Sequence, residues 1–167
     1  LGLFVKGIRA SVATGYRVPT LYEMYGQDNY GFNGNPNLLE EDTISYEVGY
    51  ENNISNTALF VIEEDNAIIY NGSYVNDTST SYTKGIENKL TYELKGVYIV
   101  NSVSVINAEQ SNGDQKLRRP KVTNNLKLYR LVNDVVYSFD VNYYGKHKDI
   151  DSITFRTIDI DAIVTFD

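Results

Sequence analysis

The 167-residue sequence has no cysteine, no tryptophan, one histidine, one methionine and three prolines. Without cysteine it can form neither disulfides nor thiolate metal sites, and it suits any compartment, including an oxidising one where stray thiols are a hazard. One histidine, His147, leaves no histidine-rich route to a zinc or haem site. Basic residues are the minority, since 15 Lys and Arg against 22 Asp and Glu give a net charge of −7. No basic stripe remains to neutralise phosphates, which excludes nucleic acid as a partner. There is no run of about 18 apolar residues, so a transmembrane helix is excluded. The opening LGLFVKGIRA lacks the charged-then-apolar order of a signal peptide. It starts at once on strand-like alternation, and the expectation is an internal piece of a longer protein.

What the chain does have is aromatic and alternating. There are 15 Tyr and 6 Phe, and hydrophobic residues reach 42% although the mean hydropathy is only −0.34. Apolar surface diluted almost one-for-one by polar residues is the mark of period-two strands. Eight strands are predicted, at about 3–16, 43–53, 56–70, 80–94, 96–110, 120–133, 135–148 and 154–167. The seventh is the clearest: Tyr137, Phe139, Val141 and Tyr143 alternate with Ser138, Asp140 and Asn142. In the second, Ile44, Tyr46, Val48 and Tyr50 oppose Ser45, Glu47, Gly49 and Glu51. In the eighth, Ile158, Ile160, Val164 and Phe166 oppose Asp159 and Asp161.

The connections sort by length. Tight turns fall near 52–56, 94–96 and 132–134, and long ones at 17–42, about 71–79, 111–119 and 149–153. Short turns alternating with long loops put all the elaboration at one end of a meander. A soluble sandwich has no reason to sort its loops so, nor to place Asp140, Asp159 and Asp161 opposite aromatic-rich faces. Strands of about ten residues with one apolar and one polar face describe an outer-membrane barrel. Lipid offers the backbone no hydrogen-bond partner, so only a closed sheet satisfies every N–H and C=O. Three other classes are weighed: a passive porin or adhesin barrel, a soluble β binding module, and an enzyme.

Specific motifs add to the period. The segment SVATGYRVPTLYEMYG (11–26) followed by GNPNLLEEDTISYEVGYE (34–51) resembles the C-terminal half of TonB-dependent outer-membrane receptors. YTKGIE (82–87), LRRPKVTNNLKL (117–128) and YYGKHKD (143–149) resemble further stretches of that family, in the same order. One departure is that LEEDT (39–43) lacks the proline usual after the GNPNL-like motif. The resemblance implies an all-β, antiparallel up-and-down meander, here about eight strands of a transmembrane barrel of about 22 strands filled by a plug. On that expectation residues 1–167 are one partial barrel domain lacking the plug and the last strands, so Phe166 is not a C-terminal insertion signal. The implied role is active transport across the bacterial outer membrane of a ferric siderophore, haem or cobalamin, energised through the TonB complex. No resident cofactor and no reaction on the substrate are implied.

The first long loop supplies the candidate ligand contacts Arg17, Tyr22, Tyr25, Tyr30, Phe32 and Asn35. Tyrosines offer flat amphipathic faces at small entropic cost, and Tyr22 and Tyr25 would share one face of a helical turn. Against this, they suit an interfacial girdle or loop packing equally well. Gly15, Pro19, Gly34 and Pro36 are assigned to loop punctuation: Gly15 to release the strand and Pro19, which cannot donate to a ladder, to stop it. The only basic cluster is Lys116, Arg118, Arg119 and Lys121. Arg118 and Arg119 are candidates for an anionic ligand or for the phosphates of lipopolysaccharide, with pairing to rim carboxylates as the plain alternative. Arg9 and Lys89 are expected on the inner face. The runs Glu63–Asp65, Asp149/Asp151 and Asp159/Asp161 show no calcium-loop spacing, although Asp159 and Asp161 would stand about 7 Å apart on one strand face.

Overall fold

The computed structural model describes residues 1–28, 31–70, 72–154 and 156–167. Nine strands form one antiparallel meander. In chain order these are β1 (Gly2–Val5), β2 (Ile8–Arg17), β3 (Glu41–Glu51), β4 (Ser55–Asp65), β7 (Ser81–Leu94), β8 (Val97–Glu109), β9 (Val122–Val132), β10 (Val135–Tyr144) and β13 (Ile163–Phe166). The missing numbers belong to elements above one end of the sheet: hairpin β5 (Ile68–Tyr70) and β6 (Tyr74–Asn76), and hairpin β11 (His147–Ile150) and β12 (Thr157–Ile160). One short helix, α1 (Leu21–Tyr25), follows β2. The sheet is open, with β1 and β13 at its edges.

The count is nine where alternation predicts eight, because a turn hides inside the expected first strand. Lys6 and Gly7 both have positive φ, 50° and 82°, and they join Val5 to Ile8 as a two-residue hairpin turn. Such a turn matches the right-handed twist of its strands, so alternation runs through it almost uninterrupted. Gly7 has a second constraint, since a Cβ there would lie 2.4 Å from the carbonyl oxygen of Glu51. The same positive-φ pair recurs at Lys95–Gly96 and Asn133–Asp134. At the remaining tight turn the Asn52 carboxamide accepts from the N–H groups of Ile54 and Ser55 at 2.9 and 2.8 Å. Three other predicted strands are cut at the opposite end. The third stops at Asp65 before positive-φ Asn66, the seventh at Tyr144, and the eighth divides into β12 and β13. Asp159 therefore lies on β12, and Asp161 falls outside any strand and pairs with Lys146 at 2.9 Å. The expected same-face pair of carboxylates does not form.

Pairing runs from β2 to β10 in unbroken register, so each strand's alternation adds to its neighbours'. One face collects Val12, Tyr46, Val48, Leu59, Val61, Ile86, Val105, Leu126 and Phe139. The other collects Arg9, Glu47, Asn56, Glu87, Lys89, Ser102, Asn125 and Asp140. The row through Ile8 and Tyr50 starts beside a turn on β2 and reaches Tyr143, at the far end of β10. This stagger is the strand tilt that barrel closure requires.

Among the described residues, no second layer covers the apolar face. Val48 and Leu59 are each 55% exposed, and among the described residues the buried hydrophobics are only Phe32, Leu38, Ala58 and Ala108. A soluble sandwich needs an apolar layer opposite this one; a membrane wall does not, since hydrocarbon is its solvent. The polar face is internally paired. Arg9 donates to Glu47 and Asn56, both at 2.8 Å, Lys127 contacts Asp140 at 3.2 Å, and Asn125 donates to Asn142 at 2.6 Å. Arg9 and Lys89 thus lie on the expected inner face.

Candidate functional site at the loop end

All four long connections leave the same end of the sheet. The first begins at Arg17, opposite Glu41 across the last rung of β2 and β3. Gly15 does not release the strand: it sits in the ladder opposite Thr43, whose hydroxyl donates to the Gly15 carbonyl at 3.2 Å. The ladder ends at Arg17, two residues before Pro19. Thr20 then caps α1 in a reciprocal box. The Glu23 N–H donates to the Thr20 hydroxyl at 3.2 Å, and the Thr20 N–H donates to the Glu23 carboxylate at 2.6 Å. Arg17 joins these parts, donating to Glu41 at 2.9 Å and to Glu23 at 3.1 Å. Partial burial works against the Glu23 carboxylate, but the Thr20 N–H and the Arg17 guanidinium outweigh it and hold its pKa below the usual carboxylate range.

The rest of the loop folds back on the helix. Gly34 donates to the Gly26 carbonyl at 2.7 Å, and a Cβ on Gly34 would lie 2.5 Å from the Met24 backbone. The Asn35 N–H donates to the Glu23 carbonyl at 2.9 Å. Pro36 follows in the turn that Leu38 closes on the Asn35 carbonyl at 3.3 Å, where its fixed φ suits the second turn position. The aromatics meet those of another loop. Tyr22 stacks on Phe32 at 5.0 Å and 17°, and Phe32 meets Tyr74 edge-on at 5.7 Å and Tyr70 at 6.1 Å. Tyr70 and Tyr74 contact each other at 5.2 Å. Polar bonds reinforce this junction: the Asn35 carboxamide donates to the Tyr74 carbonyl at 3.0 Å, and Asn76 exchanges bonds with the Leu39 backbone at 2.8 and 3.0 Å.

Of the predicted aromatic contacts, Tyr22 and Phe32 are therefore brought together, with Phe32 buried at 8% exposure. Tyr25 makes no ring contact among the described residues and is 61% exposed. Tyr30 lies outside the described residues. Sequence reasoning missed Tyr70, Tyr74 and Asn76. The available signal was a pair of tyrosines flanking a Gly-containing turn, which marks a short hairpin rather than a structureless loop.

The basic cluster divides by partner. Lys116 contacts Glu64 at 3.3 Å. Arg118, with φ of 57°, donates to Asp149 at 2.7 Å, and its N–H donates to the Lys148 carbonyl at 2.7 Å. That hydrogen bond and the Ile150 N–H hold the Asp149 pKa low. Arg119 is exposed and forms no ion pair among the described residues. It lines a cavity of about 350 Å³ together with Glu41, Glu64, Asp77, Ser111 and Lys116. The Ser111 hydroxyl, followed by the Ser79 N–H, lowers the Asp77 pKa and links the second and third loops. Two larger hollows lie on the sheet itself. One of about 480 Å³ sits on the polar face around Arg9, Glu87 and Asn125. The other, about 1020 Å³, opens on the apolar face around Val12, Tyr46 and Leu59, where hydrocarbon rather than a polar ligand would lie. His147 contacts the Gly145 carbonyl at 3.1 Å through Nδ1. No group of three or more metal-ligating side chains converges among the described residues.

The arrangement matches known proteins in sequence and in fold. A family model described as TonB dependent receptor-like, β-barrel, matches residues 5–167. The vitamin B12 transporter BtuB of Vibrio cholerae is 29% identical over 161 residues, covering 92% of this chain and 26% of the relative. The chain thus spans about a quarter of the length of the curated relatives it matches. In fold it is similar to the ferric enterobactin receptor of Pseudomonas aeruginosa, solved with enterobactin (TM-score 0.73, 18% identity, 95% of this chain and 30% of that one). It is also similar to the ferric yersiniabactin uptake receptor of Yersinia pestis (TM-score 0.69, 19% identity, 99% and 27%). The likeness in fold covers nearly the whole antiparallel meander. The chain belongs to the TonB-dependent receptor-like β-barrel family, whose members are bacterial outer-membrane proteins.

Proposed function

We propose that this stretch is part of the wall and extracellular face of an energised importer, whose whole chain takes up a scarce, bulky nutrient through coupling to TonB. The interlaced loop end carries this reading. Long connections gather on one side, and two of them are locked together by Phe32, Tyr70, Tyr74, Asn35 and Asn76. Loops fixed to each other present a preformed surface, which lowers the ordering entropy paid on capture. Among the described residues, Arg119 forms no ion pair and the exposed ring of Tyr25 makes no ring contact, so both are candidate contacts, while Arg17 and Arg118 act as clamps. The relatives' named cargoes include vitamin B12, ferric enterobactin and ferric yersiniabactin. Iron chelates and corrinoids are therefore the cargo classes to test.

The experiment is uptake by cells expressing the full-length receptor, offered ferric siderophores, haem and cobalamin with and without a functional TonB. Saturable uptake of one cargo that vanishes without TonB is expected. Non-saturable, TonB-independent entry would identify a passive barrel instead.

A further inference from the structure

The third long connection turns back over the inward face of the wall. Lys116 leaves the sheet beside β8, where its N–H donates to the Ala108 carbonyl at 2.9 Å. Its ammonium meets Glu64 on β4 at 3.3 Å, although β8 and β7 lie between. The lysine stem therefore runs across the inward face of both strands. The inward residues there are small. Ala108 on β8 and Ser81 on β7, each an even number of residues from inward-facing Ser102 and Glu87, are only 2% and 4% exposed. Leu117 and Arg119 follow, and with the inward-facing Glu41 and Glu64 they line the hollow of about 350 Å³.

What holds this connection differs from what holds the first two. The first and second loops meet around the buried Phe32 ring. The third, residues 110–121, contains no aromatic residue. Its ties beyond β8 are polar and partly wet: Lys116 to Glu64, Arg118 to Asp149, the Arg118 N–H to the Lys148 carbonyl, and the Ser111 hydroxyl to Asp77. Such bonds exchange for bonds to water at small net cost, whereas pulling Phe32 from its cluster exposes apolar surface. The connection also bends at two positive-φ residues, Gly113 at 85° and Arg118 at 57°. No atom lies within 4 Å of the place a Gly113 Cβ would take, so the tip has open space around it.

We propose that Lys116 latches the third loop across the way from the outer surface into the lumen, and that cargo passes only when the Lys116–Glu64 bond opens. The inference rests on the importer reading above. A hollow of about 350 Å³ is at the small end of small-molecule sites, which run from about 300 to about 1,000 Å³. A bulky chelate or corrinoid is too large to lodge beneath the closed loop, so the loop must move. The first and second loops are the fixed frame, and Arg119 travels with the moving segment. Lys116 is a positioning residue: it touches no cargo and acts through the loop it holds.

The test uses the full-length receptor in cells, on a background without other reachable thiols. Ser111→Cys with Asp77→Cys replaces a hydrogen-bonded pair by one that can oxidise to a disulfide, tying the third loop to the second. Oxidation should lower TonB-dependent uptake about tenfold, with binding at the cell surface kept and uptake restored by reductant. A second arm needs no cargo. Ser81→Cys is treated from outside with a membrane-impermeant methanethiosulfonate. Adding Lys116→Met, which removes the charge but keeps a long stem, should speed the reaction about two- to fivefold. Lys116→Arg should leave it slow, and the heat-modifiable band of the folded barrel should be the same in all. A reduced receptor that takes up no ferric siderophore, haem or cobalamin would sink the importer reading instead, and the labelling rates then decide the latch alone. Uptake indifferent to the disulfide, or a Ser81→Cys thiol that reacts equally fast with and without Lys116→Met, would overturn the proposal.

Discussion

The two ends of the sheet are built on different principles. At the turn end, three hairpins close with two residues each, at Lys6–Gly7, Lys95–Gly96 and Asn133–Asp134. The backbone constraint on each turn is local, and the close approach of Gly7 to the Glu51 carbonyl is a long-range addition at one of them. At the loop end, order comes from residues far apart in the chain: Asn35 bonds Tyr74, Asn76 bonds Leu39, and Arg17 bonds Glu41. A local turn forms whenever its two residues accept positive φ, but an interlaced loop forms only when its partner loop does. Changes at the turn end should therefore act on one hairpin. Changes at the loop end should propagate between loops.

The largest break in this contrast should come from Phe32→Ala, which removes the ring shared by Tyr22, Tyr70 and Tyr74. A loss of about 3 kcal/mol is expected for a buried phenylalanine. In hydrogen exchange on the full-length receptor it should appear as roughly hundredfold faster exchange in both residues 21–39 and 68–76. Acceleration confined to the first loop would mean that the two are not coupled.

Turn-end substitutions should give smaller, graded effects. Gly7→Ala meets both a positive φ and the Glu51 carbonyl, whereas Gly96→Ala meets only its φ of 76°, with nothing within 4 Å of the new Cβ. Gly96→Ala should destabilise its hairpin by about 1 kcal/mol, and Gly7→Ala by about 2–3 kcal/mol. Equal effects in thermal unfolding of the purified receptor would show that the Glu51 contact yields freely.

Acid should produce the smallest effect, confined to the loop end. The folded Glu23 pKa is depressed, so its stabilising contribution is full above its ordinary value of 4.5 and is lost as the pH falls through the lower folded value. Asp77 and Asp149 shift in the same direction. Exchange in residues 20–39 should rise on going below pH 4.5, with the hairpin at Lys95–Gly96 unaffected. Glu23→Gln should flatten the response of the first loop.

The same contrast explains what the sequence conveyed. Period-two alternation marked the strands of the meander and both faces, because Val48, Phe139 and Asn142 report their side through their own strand. It misjudged ends wherever the chain kept alternating through a turn, as at Lys6–Gly7, or after leaving the sheet, as at His147–Ile150 and Thr157–Ile160. Composition showed that the first loop was aromatic, but Phe32 is buried by Tyr70 and Tyr74, about forty residues on, and no local pattern encodes that meeting. Likewise, the basic cluster was visible as a run. Only the geometry separates Arg118, held by Asp149, from Arg119, which lines a cavity.

The central claim is that this sheet is a membrane wall with one face in hydrocarbon and the other in a wet lumen. The most direct test places a nitroxide at each position from 136 to 143 of the full-length receptor in outer-membrane lipid and measures collision with oxygen and with a water-soluble nickel chelate. Oxygen accessibility should peak at Tyr137, Phe139, Val141 and Tyr143, and chelate accessibility at Ser138, Asp140 and Asn142. Accessibilities without a period of two, or with the two reagents peaking at the same positions, would contradict it.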